Sequence, residues 1–447
     1  MRDHLAPMTP DRVHEVIGRH LIGDGFSFVL DMEESRGCRI VDRRTGRSFV
    51  DFFGFYASNT LGMHHPGLTD DEAFRRRLLE AATHKVTNTE VYTEHMARFV
   101  ETFSRVGIPE YLPHAFFISG GALAVENALK AAFDWKVQKN FEKGYREERG
   151  HQVLHLDRAF HGRTGYTLSL THSHDDRKTR HFPKFDWPRI ANPVANGRLS
   201  EEQLVEVRRS EEQALSQARR YFEEREDRIA AIILEPLQGE GGDNHFRPEF
   251  LRSLRGLADR HEALLIFDEV QTGVAASGRM WAHQALGVRP DILAFGKKSQ
   301  VCGILASERL DEVPENVFTV SSRINSTWGG NLVDMVRFDR ILEVIEEENL
   351  AGRAEEVGQY LGEQLWELEE QFEAVTAARG LGLLCAFDLP GKDLRDRVVE
   401  AAYEEGLLVL GSGPRTVRFR PPLTIERETI DEGIGILRGV LESELGG

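Results

Sequence analysis

The sequence predicts a doubly wound α/β fold: a large, mostly parallel sheet domain accompanied by a smaller α+β domain that both termini form. In the middle of the chain, short apolar runs alternate with helical stretches. Runs of this length are too short for helices and are typical of strands buried on both faces, as in a parallel sheet covered by helices. Near both ends the pattern changes to short strands and long charged helices, which indicates a second, smaller unit.

The central alternation defines the large domain. Its predicted elements are, in order, strand 114–119, a glycine turn at Gly120 and Gly121, helix 123–141, strand 152–157, strand 228–234, helix 248–262 and strand 263–267. Repeated strand–helix–strand units of this kind connect by right-handed crossovers and build a doubly wound sheet. The charged stretch 201–227 has helical spacing and is predicted to be a solvated surface helix.

The two ends of the chain are predicted to meet in the smaller domain. The pattern indicates a β-meander over 28–51 with a turn at 43–46, a long amphipathic helical region over 332–373, and strands over 379–389 and 415–419. We therefore divide the chain into an N-terminal segment of the small domain at 1–70, the large ligand-binding domain at 71–335 and the C-terminal small domain at 336–447.

Composition excludes several classes of protein. Of the 447 residues, 40% are hydrophobic and 29% charged, which is the balance of a globular protein, and no window approaches the ~20 apolar residues of a membrane span. The net charge of −17 argues against nucleic-acid partners, which need clustered Lys and Arg. Residues 1–10 lack a signal pattern and the three cysteines are far apart, so we expect a cytoplasmic protein.

Two polar side chains follow predicted strands, where ligands bind in open parallel sheets. Asp268 directly follows the strand 263–267, and a buried carboxylate is costly unless it meets a cation or strong donor such as a protonated pyridine nitrogen. A helix cap or a structural ion pair is the alternative. Lys297 ends an apolar stretch, where burial would make its amine nucleophilic enough for a Schiff base. Lys298 is adjacent, and a solvated lysine pair is the alternative.

Two loops complete the set of candidate groups. Ser119, Gly120, Gly121 and Ala122 lead into a helix whose free N–H groups and dipole could bind phosphate, although such turns are common. The second loop, 160–163, carries an aromatic ring that could stack on a flat cofactor and an arginine that could bind a carboxylate. An ordinary loop could use the same residues.

Together these segments resemble the class III (ω-amino) aminotransferases, which depend on pyridoxal 5'-phosphate (PLP) and have transferase fold type I. The resemblance extends from segment 61–66 to segment 418–423 and thus covers nearly the whole chain. Lys297 follows Asp268 by 29 residues, the spacing between the pyridine-nitrogen aspartate and the Schiff-base lysine of that family. The match therefore favours Lys297 over Lys298. One departure is segment 299–303, which stands where the family commonly has a Gly-rich stretch.

The resemblance implies a role for each matching residue. Asp268 and Lys297 are the expected catalytic residues. The expected cofactor contacts besides these two are Gln271 at the phenolic oxygen, Val270 and Phe160 on the two ring faces, Gly121 and Ala122 at the phosphate, and Thr327 reaching the phosphate of a partner subunit in a homodimer. For substrate carboxylates the resemblance implies Arg163 and Arg418, with Glu240 as a switch that pairs with Arg418 when no dicarboxylate is bound.

Within the family, segments 119–136, 160–170 and 297–303 resemble the lysine 6-aminotransferases most closely. This implies L-lysine as the amino donor and 2-oxoglutarate as the acceptor. Transaminases for 4-aminobutyrate or ornithine, an aminomutase and a non-catalytic PLP-binding regulator remain alternatives. Phe55, Tyr56 and Asn59 are expected in the donor pocket. The clustered histidines lack matching carboxylate or cysteine ligands, so no metal site is expected; His161 is expected to orient Phe160 or the substrate arginine.

Overall fold

The computed structural model describes residues 8–445; residues 1–7 and 446–447, the outer ends of the two predicted terminal segments, lie outside the described residues. The strands are β1 (Arg39–Val41), β2 (Ser48–Asp51), β3 (His114–Ile118), β4 (Gln152–Leu156), β5 (Arg189–Ile190), β6 (Ile229–Leu234), β7 (Leu237–Gln238), β8 (Asn244–His245), β9 (Leu264–Asp268), β10 (Ile292–Phe295), β11 (Cys302–Ala306), β12 (Thr376–Leu381), β13 (Leu384–Asp388), β14 (Leu407–Leu408), β15 (Leu410–Ser412) and β16 (Thr416–Phe419). The helices are α1 (Val13–Gly18), α2 (Gly54–Ala57), α3 (Pro66–Thr69), α4 (Glu72–Thr83), α5 (Glu94–Val106), α6 (Gly121–Glu142), α7 (Thr167–Leu170), α8 (Glu201–Glu224), α9 (Pro248–Arg260), α10 (Ala282–Leu286), α11 (Leu332–Glu347), α12 (Leu350–Gln371), α13 (Lys392–Glu404) and α14 (Arg427–Leu445).

A seven-stranded sheet in the order β3-β11-β10-β9-β6-β4-β5 forms the centre of the protein. From β10 to β5 all neighbouring strands are parallel, whereas β11 is antiparallel to both β10 and β3. The central strands β6, β9 and β10 are buried along their whole length, which explains why their sequences are continuous apolar runs. The predicted mostly parallel α/β fold is therefore confirmed.

Helices cover both faces of this sheet, and the two faces belong to separate hydrophobic cores. Leu264 and Ile266 of β9 pack in the same core as α6, whereas Leu265 and Phe267 pack with α8 and α9. This alternation follows from the two-residue repeat of a strand. Because both faces are covered, ligands can reach the sheet only at the ends of its strands, which is where the site lies.

The two ends of the chain come together in smaller sheets. β14 pairs in parallel with β2, and β2 pairs with β1 as an antiparallel hairpin, so that residues 48–51 and 407–408 share one sheet. A second sheet, in the order β12-β13-β16-β15, is entirely antiparallel. β16 lies in the middle of this sheet and carries Arg418 toward the large domain. The boundaries at 70/71 and 335/336 remain predictions.

Three local features differ from the sequence-based expectation. The helical region 332–373 is two helices, α11 and α12, separated where Asn349 adopts a left-handed conformation with φ of +48°. The predicted strand 379–389 is part of a hairpin, β12–β13, that turns at Gly382 with φ of +58°. The reversed strand β11 was not predicted, since its apolar run begins only three residues after Lys298 and carries no separate signal.

Neither a membrane span nor a metal cluster is found in residues 8–445. No helix in this part of the chain combines the length and apolar character needed to cross a bilayer. Within the same residues, no three His, Cys, Asp or Glu side chains are arranged so that they could hold a metal ion.

Candidate active site

A cavity of about 340 Å³ opens beyond the carboxyl ends of the parallel strands. Its walls come from the loops after β3, β4, β6, β9 and β10, as expected for an open parallel sheet. The lining residues are Gly121, Ala122, Phe160, His161, Gly162, Arg163, Glu235, Glu240, Asp268, Val270, Gln271 and Lys297. Nine of the eleven residues predicted for the site are in this lining; Arg418 lies beside it, and Thr327 lies elsewhere.

Lys297 lies at the floor of the cavity, two residues after β10. Its φ of +55° is in the left-handed region, which is a strained conformation for a lysine. Burial, together with the positive charge of Arg418, lowers the pKa of the Lys297 amine to about 8. An amine with this pKa is substantially neutral near pH 8 and can act as a nucleophile or a base.

The adjacent Lys298 lies outside this cavity. Its side chain is fully buried, and its Nζ has no hydrogen-bond partner within residues 8–445. Burial and the charges of Arg420 and Lys297 lower the pKa of Lys298 well below its usual value. The arrangement thus places the amine of Lys297, rather than that of Lys298, where a cofactor could reach it.

Asp268 ends β9 and points its carboxylate into a buried polar cluster. Its Oδ2 lies 2.8 Å from Nδ1 of His161, and its Oδ1 accepts the N–H of Val270 at 3.1 Å. Both the aspartate and the histidine are buried. His161 therefore supports Asp268. Its expected role of orienting Phe160 or the substrate arginine stays a prediction. With one partner on each oxygen, the carboxylate can still accept a further donor from the cavity.

The phosphate-binding loop predicted at 119–122 turns from β3 into α6. Gly120 has φ of +112°, which side chains rarely adopt, and α6 begins at Gly121. A Cβ on Gly121 would lie 2.8 Å from Cγ1 of Val270, so this position has room only for glycine. The start of a 22-residue helix therefore faces the cavity beside Val270, with free N–H groups and a favourable dipole for an anion.

Gln271 connects the cavity to two arginines of the small domain. Its Oε1 accepts hydrogen bonds from Arg420 through Nε at 3.2 Å and Nη2 at 3.1 Å, and from Nη1 of Arg418 at 3.4 Å. Arg420 in turn forms a buried ion pair of 2.5 Å with Asp243. Because its oxygen is occupied by these donors, the side-chain NH₂ of Gln271 is left to donate into the cavity.

Glu240 and Arg418, the expected switch pair, do not form an ion pair in this structure. Oε1 of Glu240 accepts instead from Oγ of Ser173 at 2.7 Å and from Nζ of Lys178 at 2.5 Å. Arg418 is buried, and its Nε has no partner within the described residues. The difference has a simple cause, since Lys178 offers Glu240 a nearer cation.

The remaining two predicted residues lie at the periphery. Arg163 is exposed at the mouth of the cavity and also borders a neighbouring cavity of about 810 Å³. Thr327 is exposed in the segment before α11, where its carbonyl contacts Oγ1 of Thr89 at 3.5 Å, and it does not reach the cavity of its own chain. An exposed position of this kind is compatible with the expected role toward a partner subunit, which stays a prediction.

The N-terminal residues expected in the donor pocket form an unusual turn. Phe55, Tyr56 and Ala57 all have positive φ, between 50° and 68°. A Cβ on the preceding Gly54 would lie 2.0 Å from the carbonyl oxygen of Arg420, so the absence of a side chain lets this turn approach the end of β16. None of the three residues predicted here, Phe55, Tyr56 and Asn59, lines the cavity.

Comparison with known proteins decides the family. The model of the family described as "Aminotransferase class-III" matches residues 24–441. This chain is a class III aminotransferase. It is 54% identical over 436 residues to the L-lysine-epsilon aminotransferase of Mycobacterium tuberculosis, covering 97% of this chain and 96% of that protein. It is 48% identical over 442 residues to the protein of the same name from Amycolatopsis lactamdurans, covering 98% of both.

A solved structure confirms the fold of this aminotransferase. The lysine aminotransferase from M. tuberculosis in the internal aldimine form superposes with a TM-score of 0.95 at 54% identity, and the match covers 98% of this chain and 100% of that one. The predicted family and the predicted type of enzyme, a PLP-dependent transaminase, are thereby confirmed.

The cavity of the aminotransferase fits PLP. Asp268 offers a carboxylate for the ring nitrogen, Gln271 offers a free NH₂ for the phenolic oxygen, and the start of α6 offers N–H groups for the phosphate. Lys297 offers an amine with a lowered pKa. These donors and acceptors are complementary to the groups on the cofactor. The assignment of each residue to its part of the cofactor remains a prediction.

Sequence reasoning missed a buried carboxylate that lines the cavity. Glu235 follows β6 as Asp268 follows β9, and burial raises the pKa of Glu235 to about 7. Its Oε1 accepts the N–H of Phe160 at 2.9 Å and its Oε2 that of Gly239 at 3.0 Å, so it holds two walls of the cavity together. Its position directly after an apolar strand was the signal that could have identified it.

Other members of the site had weaker signals. Arg420 is two residues from Arg418, just beyond β16, and the two-residue spacing that puts both side chains on one side of extended backbone was visible in the sequence. Asp243, Ser173 and Lys178 come from loops without a regular pattern. Their approach to the cavity depends on tertiary structure, and no local signal identified them.

Proposed function

We propose that this chain transfers the ε-amino group of L-lysine to 2-oxoglutarate and so forms 2-aminoadipate 6-semialdehyde and L-glutamate. The observation that carries this proposal is the identity of 48–54% over nearly the whole chain with proteins named L-lysine-epsilon aminotransferase. The shape of a pocket distinguishes substrates that differ by one methylene by only ~1–3 kcal/mol. Extensive identity is therefore stronger support for the donor than any single contact.

In this proposal the chain provides the acid–base chemistry around PLP. When bound, PLP supplies an electron sink for the carbon that loses its proton. The amine of Lys297, whose pKa is about 8, would remove a proton from the ε-carbon of the donor as a base and return it to a cofactor carbon as an acid. Asp268 would keep the ring nitrogen protonated, and His161 holds Asp268 in place through their 2.8 Å contact.

The flat faces and the phosphate of the cofactor require different contacts. Val270 and Phe160 would lie on the two faces of the ring, and Gln271 would donate its NH₂ to the phenolic oxygen. The backbone N–H groups of Gly121 and Ala122 would bind the phosphate. All five residues border the same cavity, which supports a single cofactor position.

Two arginines would bind substrate carboxylates. Arg163 at the mouth would take the carboxylate far from the reacting carbon, and Arg418 would take the near carboxylate of 2-oxoglutarate. L-Lysine presents its ε-carbon to the cofactor and has no carboxylate near that carbon, so Arg418 would be left without an anion in the first half-reaction. Glu240 would then compensate its charge.

We further propose a homodimer with shared active sites. Thr327 of the partner subunit would complete the phosphate site, since the threonine of one chain does not reach its own cavity. Exposed apolar side chains next to this segment support an interface: Val91 is 53%, Tyr92 80% and Trp328 39% exposed. The three cysteines are free and buried, which supports a reducing compartment such as the cytoplasm.

The absorption spectrum of the purified holoprotein tests the donor. We expect L-lysine, added without an acceptor, to replace the visible band of the cofactor by a near-ultraviolet band. Ornithine and 4-aminobutyrate should do so much more slowly. Subsequent addition of 2-oxoglutarate should restore the visible band and release glutamate. A matched Lys297→Ala protein should show neither change.

Two outcomes would contradict the proposal in different ways. A spectrum that responds to ornithine or 4-aminobutyrate but not to lysine would retain the transaminase and replace its donor. A protein that binds no PLP would overturn the assignment of the cavity as a whole.

A further inference from the structure

Glu240 has two partners besides the arginine expected for it. Ser173 and Lys178 both bind its Oε1, at 2.7 and 2.5 Å. The side chains of Lys178 and Glu240 are 33% and 23% exposed, so the ion pair is only partly accessible to solvent. A pair with two concurrent hydrogen bonds and limited hydration is stronger than an ordinary surface ion pair.

The loop that supplies both partners is ordered by its own hydrogen bonds. Oγ of Ser173 accepts the N–H of Asp175 at 3.2 Å, and the carboxylate of Asp175 accepts the N–H of Arg177 at 3.2 Å. Lys178 ends the 3₁₀ turn that Asp175 caps. Ser173 and Lys178 are therefore positioned before Glu240 arrives, which lowers the entropic cost of binding its carboxylate.

Arg418 is free while Glu240 is bound in this way. Its guanidinium is buried, its Nε has no partner within residues 8–445, and its one hydrogen bond, to Gln271, is long at 3.4 Å. A buried cation without an anion is unfavourable, and a carboxylate entering the cavity would remove this cost. The structure thus has the arrangement suited to binding a dicarboxylate.

We propose that Ser173 and Lys178 form a second binding position for the carboxylate of Glu240, which keeps Arg418 free for a dicarboxylate acceptor. This inference rests on the proposed function, because only a transaminase with two unlike substrates needs both positions. Glu240 then has two alternative cations, Arg418 during the donor half-reaction and Lys178 during the acceptor half-reaction. Lys178 is a positioning residue, since it acts through Glu240.

The consequence is a selective effect on one substrate class. Without Lys178, Glu240 shifts toward Arg418, and a dicarboxylate must displace it before binding. Affinity for dicarboxylates falls by the factor that Lys178 contributed to this equilibrium. The half-reaction of L-lysine, which uses Glu240 on Arg418, keeps its rate or becomes faster.

The test compares four holoproteins: wild type, Lys178→Met, Lys178→Arg and Arg180→Met. Arg180 is exposed in the same loop and does not belong to the site, so Arg180→Met removes the same charge as Lys178→Met at a control position. Glutarate, a dicarboxylate that cannot react, is titrated at equilibrium through its perturbation of the cofactor's visible band. The half-reactions with L-lysine and 2-oxoglutarate are followed separately in single turnovers.

We expect Lys178→Met to weaken glutarate binding, and to raise the 2-oxoglutarate concentration for half-maximal rate, by about five- to tenfold. The lysine half-reaction should not be slowed, Lys178→Arg should restore most of the affinity, and Arg180→Met should match wild type. If Lys178→Met does not fold, Ser173→Ala is expected to give a smaller shift in the same direction.

Several results would overturn the inference. Equal glutarate affinity in wild type and Lys178→Met, equal loss in both half-reactions, or no glutarate binding by wild type would each do so. The glutarate titration does not depend on the amino donor. A wild-type protein that binds glutarate but ignores lysine would therefore contradict the proposed donor and leave this comparison intact.

Discussion

The buried ion pair between Arg420 and Asp243 should contribute strongly to stability, and Asp243→Asn tests this. The two side chains are 1% and 0% exposed, and Nη2 of Arg420 lies 2.5 Å from Oδ2 of Asp243. The substitution keeps the volume of the side chain and removes its charge. Arg420 then faces Arg418 without a counter-ion, while it still binds Gln271 at 3.1–3.2 Å.

The expected magnitude follows from the surroundings of the pair. At an effective dielectric constant of ~20, two unit charges ~4 Å apart attract by ~4 kcal/mol. Removing one partner of a buried pair leaves the other charge uncompensated and costs about 3–5 kcal/mol. Removing both charges, in Asp243→Leu with Arg420→Met, avoids that penalty. The double variant should therefore lose less stability than Asp243→Leu and Arg420→Met lose in sum as single variants, by a few kcal/mol.

Urea unfolding of the holoprotein, followed by tryptophan fluorescence, measures these differences. The exposed pair Arg427–Glu356, at 2.8 Å with side chains 51% and 69% exposed, is the matched control. We expect Glu356→Gln to change the free energy of unfolding by less than about 1 kcal/mol. An Asp243→Asn variant that costs no more than Glu356→Gln, or a double variant that is simply additive, would show that the buried ion pair does not contribute to stability in this way.

Three further predictions concern the cofactor cavity. Lys297→Ala should lose the visible band of covalently held cofactor, whereas Lys298→Met should keep it. Lys298→Met should also unfold at a higher urea concentration, because an unpartnered buried amine is removed. The opposite result would assign the cofactor linkage to Lys298. The pKa of Lys297 is about 8 in the folded apoprotein and 10.5 in the unfolded chain, so between these values the unfolded chain binds more protons. The stability of the apoprotein should therefore rise with pH in this window, and it should rise less in Lys297→Met. Gly121→Ala should weaken PLP binding by about tenfold or more, because its Cβ would lie 2.8 Å from Val270. Gly256→Ala, which has open space around it, should leave PLP binding unchanged. Equal dissociation constants of the two variants, measured by fluorescence titration, would contradict this prediction.

The parts of the fold that a local pattern determines were predictable. Buried parallel strands are continuous apolar runs, so β6 and β9 were identified within one residue at each end. The break between α11 and α12 was not identified, because Asn349 interrupts an apolar pattern that continues on both sides. A single residue in the left-handed region changes the direction of the chain without changing its composition.

The residues of the site likewise fall into those that a local pattern predicts and those that it does not. Asp268, Lys297 and the turn at Gly121 follow strands directly, and the topology of a parallel sheet brings strand ends together. Lys178 and Ser173 belong to an irregular loop, and their contact with Glu240 depends on how two loops pack. Resemblance to the family indicated Glu240 and Arg418 but described only the pairing of these two residues. Tertiary structure supplied the alternative partner.

The charge distribution links these findings. A net charge of −17 opposes the approach of dianions such as 2-oxoglutarate to the surface as a whole. The cavity reverses this locally, since Arg163 at the mouth and Arg418 inside have no carboxylate partner within the described residues. An unpaired Arg418 would, however, also attract anions during the donor half-reaction. A movable carboxylate with two alternative cations resolves this conflict, because Glu240 can neutralise Arg418 for one substrate and leave it charged for the other.

The exchange of Glu240 between Arg418 and Lys178 requires the two positions to be nearly equal in free energy. The partly hydrated Lys178 is a weaker partner than a fully buried cation would be. A stronger ion pair at this position would hold Glu240 permanently, and the site would then favour dicarboxylates at the expense of lysine.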